Sequence, residues 1–143
     1  MKAKDLMIGD WVCLKDDTKS ELPLKVDGVL TDDISLEGEG FLGGVDGLIR
    51  PIPITPEILE KNGFYDRNTQ WYYKRFGSYV CFDIAISLVY REIKVSKVCG
   101  AGTDCEEEEY GSSIVFGNDI CVHTLQHALR LCGLDELADN FKV

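Results

Sequence analysis

Apolar side chains in the first third of the chain recur with a period of two over short stretches. Residues 24–29 and 34–37 alternate apolar and polar positions, which is typical of strands with one buried face. Residues 10–14 form another apolar stretch after Gly9, and a strand within 45–54 ends among prolines. Pro51 and Pro53 belong at an edge or in a linker, because proline cannot donate to a sheet ladder. We therefore predict a small, curled, SH3-like β unit up to Ile54.

The middle of the chain predicts a short helix followed by a meander. Thr55 can cap the helix, Pro56 suits its first position, and Gly63 provides a left-handed stop. Aromatic and β-branched residues then predict an antiparallel meander of three or four strands, with candidate strands at 71–76, 79–87, 88–95 and 112–116. The dipeptide 77–78 is typical of a hairpin turn.

The end of the chain carries the clearest helical pattern. Val122, Leu125, Leu129 and Cys132 recur at intervals of three and four, which predicts one apolar stripe facing the meander. Asn118 or Asp119 can cap this helix, Gly133 ends it, and 134–141 predicts a last helical turn. The expected fold class is α+β, mostly antiparallel. We expect a β unit over 1–54 and a unit of helix, meander and C-terminal helix over 55–143.

Charge and composition limit the partners. The 143 residues carry a net charge of −10, which argues against general binding of nucleic acid or of an anionic membrane surface. No stretch has the length of a signal peptide or a transmembrane helix, so we expect a cytoplasmic protein.

The six cysteines should be reduced thiols in that compartment. Several of them lie within apolar patterns, so we interpret them as small core residues. A structural zinc site is the alternative, although the two cysteines closest in sequence, Cys99 and Cys105, lack the short spacing that is usual for zinc ligands.

Two conspicuous motifs favour ordinary structural interpretations. Residues 38–43 match GxGxxG, but no helix is predicted after them, so we expect a glycine-rich hairpin loop and no dinucleotide cofactor. Four glutamates at 106–109 predict a solvated hairpin tip, since the run lacks the spaced ligands and turn glycine of a calcium loop.

His123 and His127 are the weak metal candidates. They lie one turn apart on the last predicted helix, the spacing of HExxH metallohydrolases. Thr124 replaces the glutamate base, no third ligand is apparent, and Arg130 one turn on would repel a cation. These side chains should project away from the apolar stripe, toward solvent or a neighbouring loop. We therefore assign no catalytic, cofactor or metal residue.

The aromatic segment 71–73 is the remaining candidate site. It could stack nucleic-acid bases. The alternation of a strand and the charge of −10 favour a mixture of core and sheet surface instead.

Three segments together resemble a known family. Residues 5–12 (DLMIGDWV), 51–64 (PIPITPEILEKNGF) and 122–134 (VHTLQHALRLCGL) are similar to a family of small uncharacterised proteins from gut anaerobic bacteria and their phages. Members often carry Glu where this chain has Thr124. The resemblance implies a phage or mobile-element context and no particular chemistry.

Three functional hypotheses follow. The first is a non-enzymatic binding or accessory protein with a protein partner, no membrane contact and no direct binding of nucleic acid. The second is a metal-dependent hydrolase with a degenerate HExxH motif at His123 and His127. The third is an acidic mimic of nucleic acid, which the net charge of −10 permits.

Overall fold

A computed structural model describes residues 1–15, 21–44, 47–67, 70–77, 80–99, 111–116 and 120–143. It confirms an α+β fold with two antiparallel sheets and C-terminal helices. The strands of the first sheet are β1 (Trp11–Lys15), β2 (Glu21–Val29), β3 (Ile34–Leu36), β4 (Gly40–Leu42) and β5 (Ile49–Pro51). Those of the second are β6 (Tyr65–Asp66), β7 (Tyr72–Phe76), β8 (Val80–Ser87), β9 (Glu92–Cys99) and β10 (Gly111–Val115).

The first sheet has the strand order β4-β3-β2-β1-β5. Strand β5 ends at Pro51 and lies at an edge, as the prolines predict. The GxGxxG segment supplies the turn between β3 and β4, where Leu36 pairs with Gly40. Gly38 has a φ of +87°, a conformation that glycine adopts without strain. The hairpin interpretation of this loop is therefore confirmed, although the sequence did not predict β4 within it.

Helix α1 (Pro56–Lys61) follows the capping signals closely. The Ile58 N–H donates to Thr55 Oγ1 at 3.3 Å, and Pro56 occupies the first helical position. Gly63 has a φ of +78° just after the helix, so it supplies the predicted left-handed stop.

The second sheet is a meander in the order β10-β9-β8-β7-β6. One predicted strand was placed wrongly: 88–91 form a turn, and β9 starts at Glu92. The apolar pair Leu88–Val89 favoured a strand in the sequence, but the chain turns there, with the Tyr90 N–H donating to Ser87 Oγ. The predicted turn at 77–78 lies partly outside the described residues.

Helices α2 (Val122–Leu131) and α3 (Asp135–Asp139) close the chain. The apolar stripe of α2 packs on the inner face of the second sheet, as predicted. That cluster includes Val122, Leu125 and Leu129 from the helix and Ile84, Ile86, Ile93 and Val95 from the sheet. A second cluster fills the first sheet, with Val12, Val26, Ile34, Leu36 and Ile49 at its centre. The division into units 1–54 and 55–143 stays a prediction.

Trp11 links the two halves of the chain. Its ring packs against the cluster beneath α2, and its Nε1–H donates to the Phe141 carbonyl at 2.7 Å. The polar face of α2 therefore lies close to the start of β1, a contact that determines the environment of the two histidines.

Candidate functional site

The polar face of α2 contacts the loop that precedes β1. His127 and Arg130 project from this face and converge on Asp10, whose side chain has no exposed surface. Asp10 Oδ2 lies 2.6 Å from His127 Nε2, and Oδ1 accepts from an Arg130 Nη1–H at 2.8 Å. The Met7 N–H also donates to this carboxylate, at 2.7 Å. A buried carboxylate needs such partners, because desolvation penalises an uncompensated charge.

Gly9 permits this close approach. Its φ is +89°, and a Cβ at this position would lie 3.0 Å from Arg130 Nη2. A larger residue would thus be strained by its backbone and crowded by the guanidinium. The segment 7–10 is therefore shaped around the polar face of α2. The expectation that this face meets a neighbouring loop is confirmed for His127 and Arg130.

Gln126 is a buried polar residue that the sequence reasoning missed. It has no exposed surface, and its Nε2 donates to the carbonyls of Gly9 and Ala138, each at 2.9 Å. Its Oε1 accepts from the Trp11 N–H at 3.0 Å. The available signal was its position, four residues after Val122 and three before Leu129, which puts an amide at the edge of an apolar stripe. Gln126 satisfies three backbone groups at the junction of both ends of the chain.

His123 differs from the expectation of a polar, outward-facing residue. It is buried, with 7% of its surface exposed, and its ring packs edge-on against His127 at 5.9 Å between centroids. Burial lowers the pKa of His123, which the attraction of Asp10 partly opposes. The residue was expected to point away from the core, but its ring is buried beside Cys121 and His127.

The two histidines do not assemble a metal centre with other ligands in the described part of the chain. No group of three or more His, Cys, Asp or Glu residues there has the geometry to hold an ion. His127 Nε2 faces Asp10, and Arg130 brings a positive charge to the same carboxylate. A cation would have to compete with that guanidinium.

Cys121 and His123 are neighbours in space as well as in sequence. Cys121 Sγ lies 3.4 Å from His123 Nδ1, a contact that the sequence reasoning did not predict. Cysteine–histidine pairs support nucleophilic catalysis when a substrate can reach the thiol. Here the two residues are only 6% and 7% exposed, so the pair is part of the packed interior.

Thr124 has a structural role at the start of α2. It occupies the third helical position, and the backbone N–H of Cys121 donates to its Oγ1 at 3.1 Å. Glu or Gln commonly fills this position in a capping box. The prediction that Asn118 or Asp119 caps the helix was wrong, because α2 begins at Val122 and Cys121 is its N-cap. The glutamate position of an HExxH motif is therefore a capping position in this helix.

The remaining sequence candidates divide between described and undescribed regions. The glutamate run 106–109 and Cys105 lie outside the described residues, as does the side chain of Cys99. The structure holds the other four cysteines, Cys13, Cys81, Cys121 and Cys132, as thiols. Of these, Cys13 and Cys121 are buried, consistent with a packing role.

A groove of about 620 Å³ lies on the outer face of the second sheet, opposite the face that packs on α2. Tyr73 lies on this outer face, whereas its neighbour Tyr72 packs against the core cluster, as strand alternation requires. The sequence therefore anticipated the division of this segment between core and surface, but not the groove. We call it the sheet-face groove; its lining is Tyr65, Arg67, Trp71, Tyr73, Lys74, Arg75, Asp83, Ile84, Ala85, Lys94 and Ser96.

Cationic side chains lie against the aromatic rings of this groove. The Arg67 guanidinium is 5.2 Å from the centroid of Tyr65 and 5.1 Å from that of Tyr73. The Lys94 ammonium is 4.6 Å from the Trp71 ring. These are cation–π contacts, in which the negative face of each ring attracts the positive group. Arg67 Nη2 also donates to the Tyr65 hydroxyl at 2.9 Å, and Lys94 Nζ lies 3.5 Å from Glu92 Oε2.

Arg75 and Asp83 largely neutralise each other on the groove floor. Arg75 donates to both carboxylate oxygens, at 2.6 and 2.8 Å. This hydrogen bonding lowers the pKa of Asp83, so the carboxylate stays ionised and paired at neutral pH. The ammonium of Lys74 donates to the Asn62 carbonyl, so it is engaged outside the groove. Arg67 and Lys94 are therefore the cations best placed to meet a ligand.

Comparisons with known proteins return no relative. Neither a protein-family model, nor a curated protein, nor a solved structure matches the chain. Within the described part, no helix combines the length and the apolar character that crossing a bilayer requires.

Proposed function

We propose that this protein is a non-enzymatic binding protein and that the sheet-face groove takes up an anionic ligand. The observation that carries this proposal is a local reversal of charge. Three cations, Arg67, Arg75 and Lys94, and one carboxylate, Asp83, line the outer face of the groove, whereas the whole chain has a net charge of −10. A positive concave surface on an acidic protein selects for a negative ligand, because the local field acts at contact distance while distant charges are screened.

The cations are already positioned for binding. Arg67 and Lys94 are held against aromatic rings, so part of the entropy cost of ordering long side chains is met before the ligand arrives. Arg67 is exposed, and its guanidinium has five N–H donors, one of which binds the Tyr65 hydroxyl at 2.9 Å. A bound phosphate or carboxylate would give the guanidinium the bidentate partner that suits it best.

A non-enzymatic role is supported by how the reactive side chains are used. His127 and Arg130 bind Asp10, and Cys121 and His123 pack in the interior. The hydrolase alternative with His123 and His127 needs a third ligand and a base, and Thr124 fills the base position as a capping residue. The acidic-mimic alternative rests on the net charge of −10, and no contact among the described residues favours it.

The finer assignments belong to the same proposal. An SH3-like first unit is supported by the order β4-β3-β2-β1-β5, in which the last strand returns to the first. A cytoplasmic location rests on the sequence, in which no stretch has the length of a signal peptide or a transmembrane helix, and an accessory role in a phage or mobile element rests on the family resemblance.

Calorimetric titration with short-chain polyphosphate tests the proposed function. This probe offers negative charge without rings or bases. We expect binding at low ionic strength that is lost in the double variant Arg67→Ala/Lys94→Ala. The matched control is Lys4→Ala/Lys15→Ala, which removes the same charge from exposed positions near the N-terminus. No heat of binding, or equal weakening in both double variants, would refute the groove as the anion site.

A further inference from the structure

The rows of side chains across the second sheet give the sheet-face groove a direction. Tyr65 pairs with Tyr73, Tyr73 with Ala85, and Ala85 with Lys94. These four residues therefore form one row across four strands on the outer face. Three strand spacings give the row a length of about 14 Å. The groove thus runs across the strands, with tyrosines at one end and Lys94 at the other.

Small residues form the middle of this surface. Ala85 lies at the centre of the row, and Ser96 pairs with Asp83 in the next row. Short side chains there leave room for a flat group to approach the sheet between the aromatic rings. Tyr65 is 45% exposed, and the rings of Trp71 and Tyr73 are half-buried. Arg67 lies over Tyr65 and Tyr73, and Lys94 and Tyr90 lie against Trp71, so a flat group would meet the guanidinium plane and the exposed parts of these rings around a low floor.

Cationic and aromatic groups lie together at both ends of the groove. Arg67 accompanies Tyr65 and Tyr73, while Lys94 accompanies Trp71. A single strand of nucleic acid carries the complementary pair at each step, a phosphate and a flat base. Bases stack on aromatic rings and on guanidinium planes, and phosphates bind the cations.

We propose that the anionic ligand of the sheet-face groove is a short single strand of nucleic acid. Its bases stack on Tyr65, Tyr73 and Trp71, and its phosphates bind Arg67 and Lys94. This inference rests on the proposed function. The length of the row fits two or three nucleotides, the number that a sheet face of this kind accommodates in other folds.

This ligand fits the sheet-face groove better than an acidic peptide or a duplex does. A carboxylate-rich peptide would use the two cations but would add no stacking on the guanidinium or on the aromatic rings. A duplex would bring many further phosphates against an acidic chain with a net charge of −10. The same charge made direct binding of nucleic acid unexpected from the sequence. The net charge of the whole chain does not reveal that the charge of the groove is locally positive.

Fluorescence anisotropy with a labelled, unstructured oligothymidylate tests the inference on the full chain. We expect the oligonucleotide to bind at least tenfold more tightly than polyphosphate of equal charge, because stacking adds to phosphate binding. Tyr73→Ala should abolish this advantage, and Tyr73→Phe should retain it. Phe41→Ala is the control, since Phe41 is an exposed aromatic residue on the first sheet. In Arg67→Ala/Lys94→Ala, the slope of log K against log salt should fall by about 0.7 for each lost phosphate contact.

The outcomes separate the two proposals. Equal affinity for oligonucleotide and polyphosphate, or full affinity for a mononucleotide alone, would overturn the single-strand inference and leave the anion site standing. Tighter binding of a polyglutamate peptide than of the oligonucleotide would do the same. Absence of binding to any of these anions would overturn both proposals.

Discussion

His127 Nε2 lies 2.6 Å from the carboxylate of Asp10, and 117 positions of sequence separate the two residues. Because Asp10 is fully buried and also binds Arg130, this pair joins the loop before β1 to the last long helix. The two histidines that look like a metal motif in the sequence are therefore part of a junction between the chain ends. This structural role is distinct from the proposed binding role of the sheet-face groove.

Asp10→Ala should destabilise the protein strongly. The change leaves Arg130 and His127 without their buried counterpart, and breaking a buried pair costs roughly 3 kcal/mol or more. Arg130 retains Asp139 at 3.0 Å, which keeps the loss near the lower end. Urea unfolding measures the effect. Asp10→Asn preserves the shape of the side chain and should lose less of the free energy of unfolding. Equal stability of Asp10→Ala and the parent would show that Asp10 does not hold the loop before β1 against α2.

Gln126→Leu should cost about 3 kcal/mol in the free energy of unfolding. The substitution keeps the side chain's bulk but leaves the carbonyls of Gly9 and Ala138 and the Trp11 N–H without their partner. Leu131→Ala is the control on the same helix, because Leu131 is 81% exposed and its loss should change stability by less than about 0.5 kcal/mol. Similar unfolding midpoints for the two variants would count against the role assigned to Gln126.

The elements were largely predictable from the sequence, whereas their long-range contacts were not. Periodicity located α2, and Thr55, Pro56 and Gly63 defined α1, because these signals act within a few residues. The partner of His127 was hidden, since nothing local indicates that Asp10 is buried against α2. The groove was hidden for the same reason. Tyr65, Tyr73, Ala85 and Lys94 become a row only through strand register, which the sequence does not reveal.

Protonation of His123 should lower the free energy of unfolding as the pH falls below about 6.5. Burial lowers its pKa in the folded state, so the unfolded chain binds a proton first, and acid favours unfolding. The contribution is present above the unfolded pKa and is lost as the pH falls through the lower, folded pKa. Urea unfolding across this window should show a shallower loss for His123→Gln than for the parent. A parent protein that gains stability from pH 7 to pH 5.5, relative to His123→Gln, would reverse this sign.

Thr124→Glu should stabilise α2 without producing a hydrolase. Glutamate at the third helical position can accept from the Cys121 N–H and interacts favourably with the helix dipole. We expect it to match or exceed the stability of the parent, while Thr124→Val, which loses the hydroxyl, should lose about 1 kcal/mol. Metal analysis and a peptidase assay accompany the unfolding curves. Stoichiometric zinc in Thr124→Glu that disappears in Thr124→Glu/His127→Ala would contradict the structural interpretation of the motif.

The central claim is that the polar face of α2 joins the two ends of the chain, whereas the sheet-face groove binds an anionic ligand. The polyphosphate affinity of folded variants tests this claim most directly. The measurement compares His127→Ala with Arg67→Ala/Lys94→Ala at a temperature where both are folded. We expect His127→Ala to have a lower unfolding midpoint but the affinity of the parent. Arg67→Ala/Lys94→Ala should keep the midpoint and lose binding. Loss of binding in folded His127→Ala, with binding retained in Arg67→Ala/Lys94→Ala, would show that the two roles are assigned to the wrong faces.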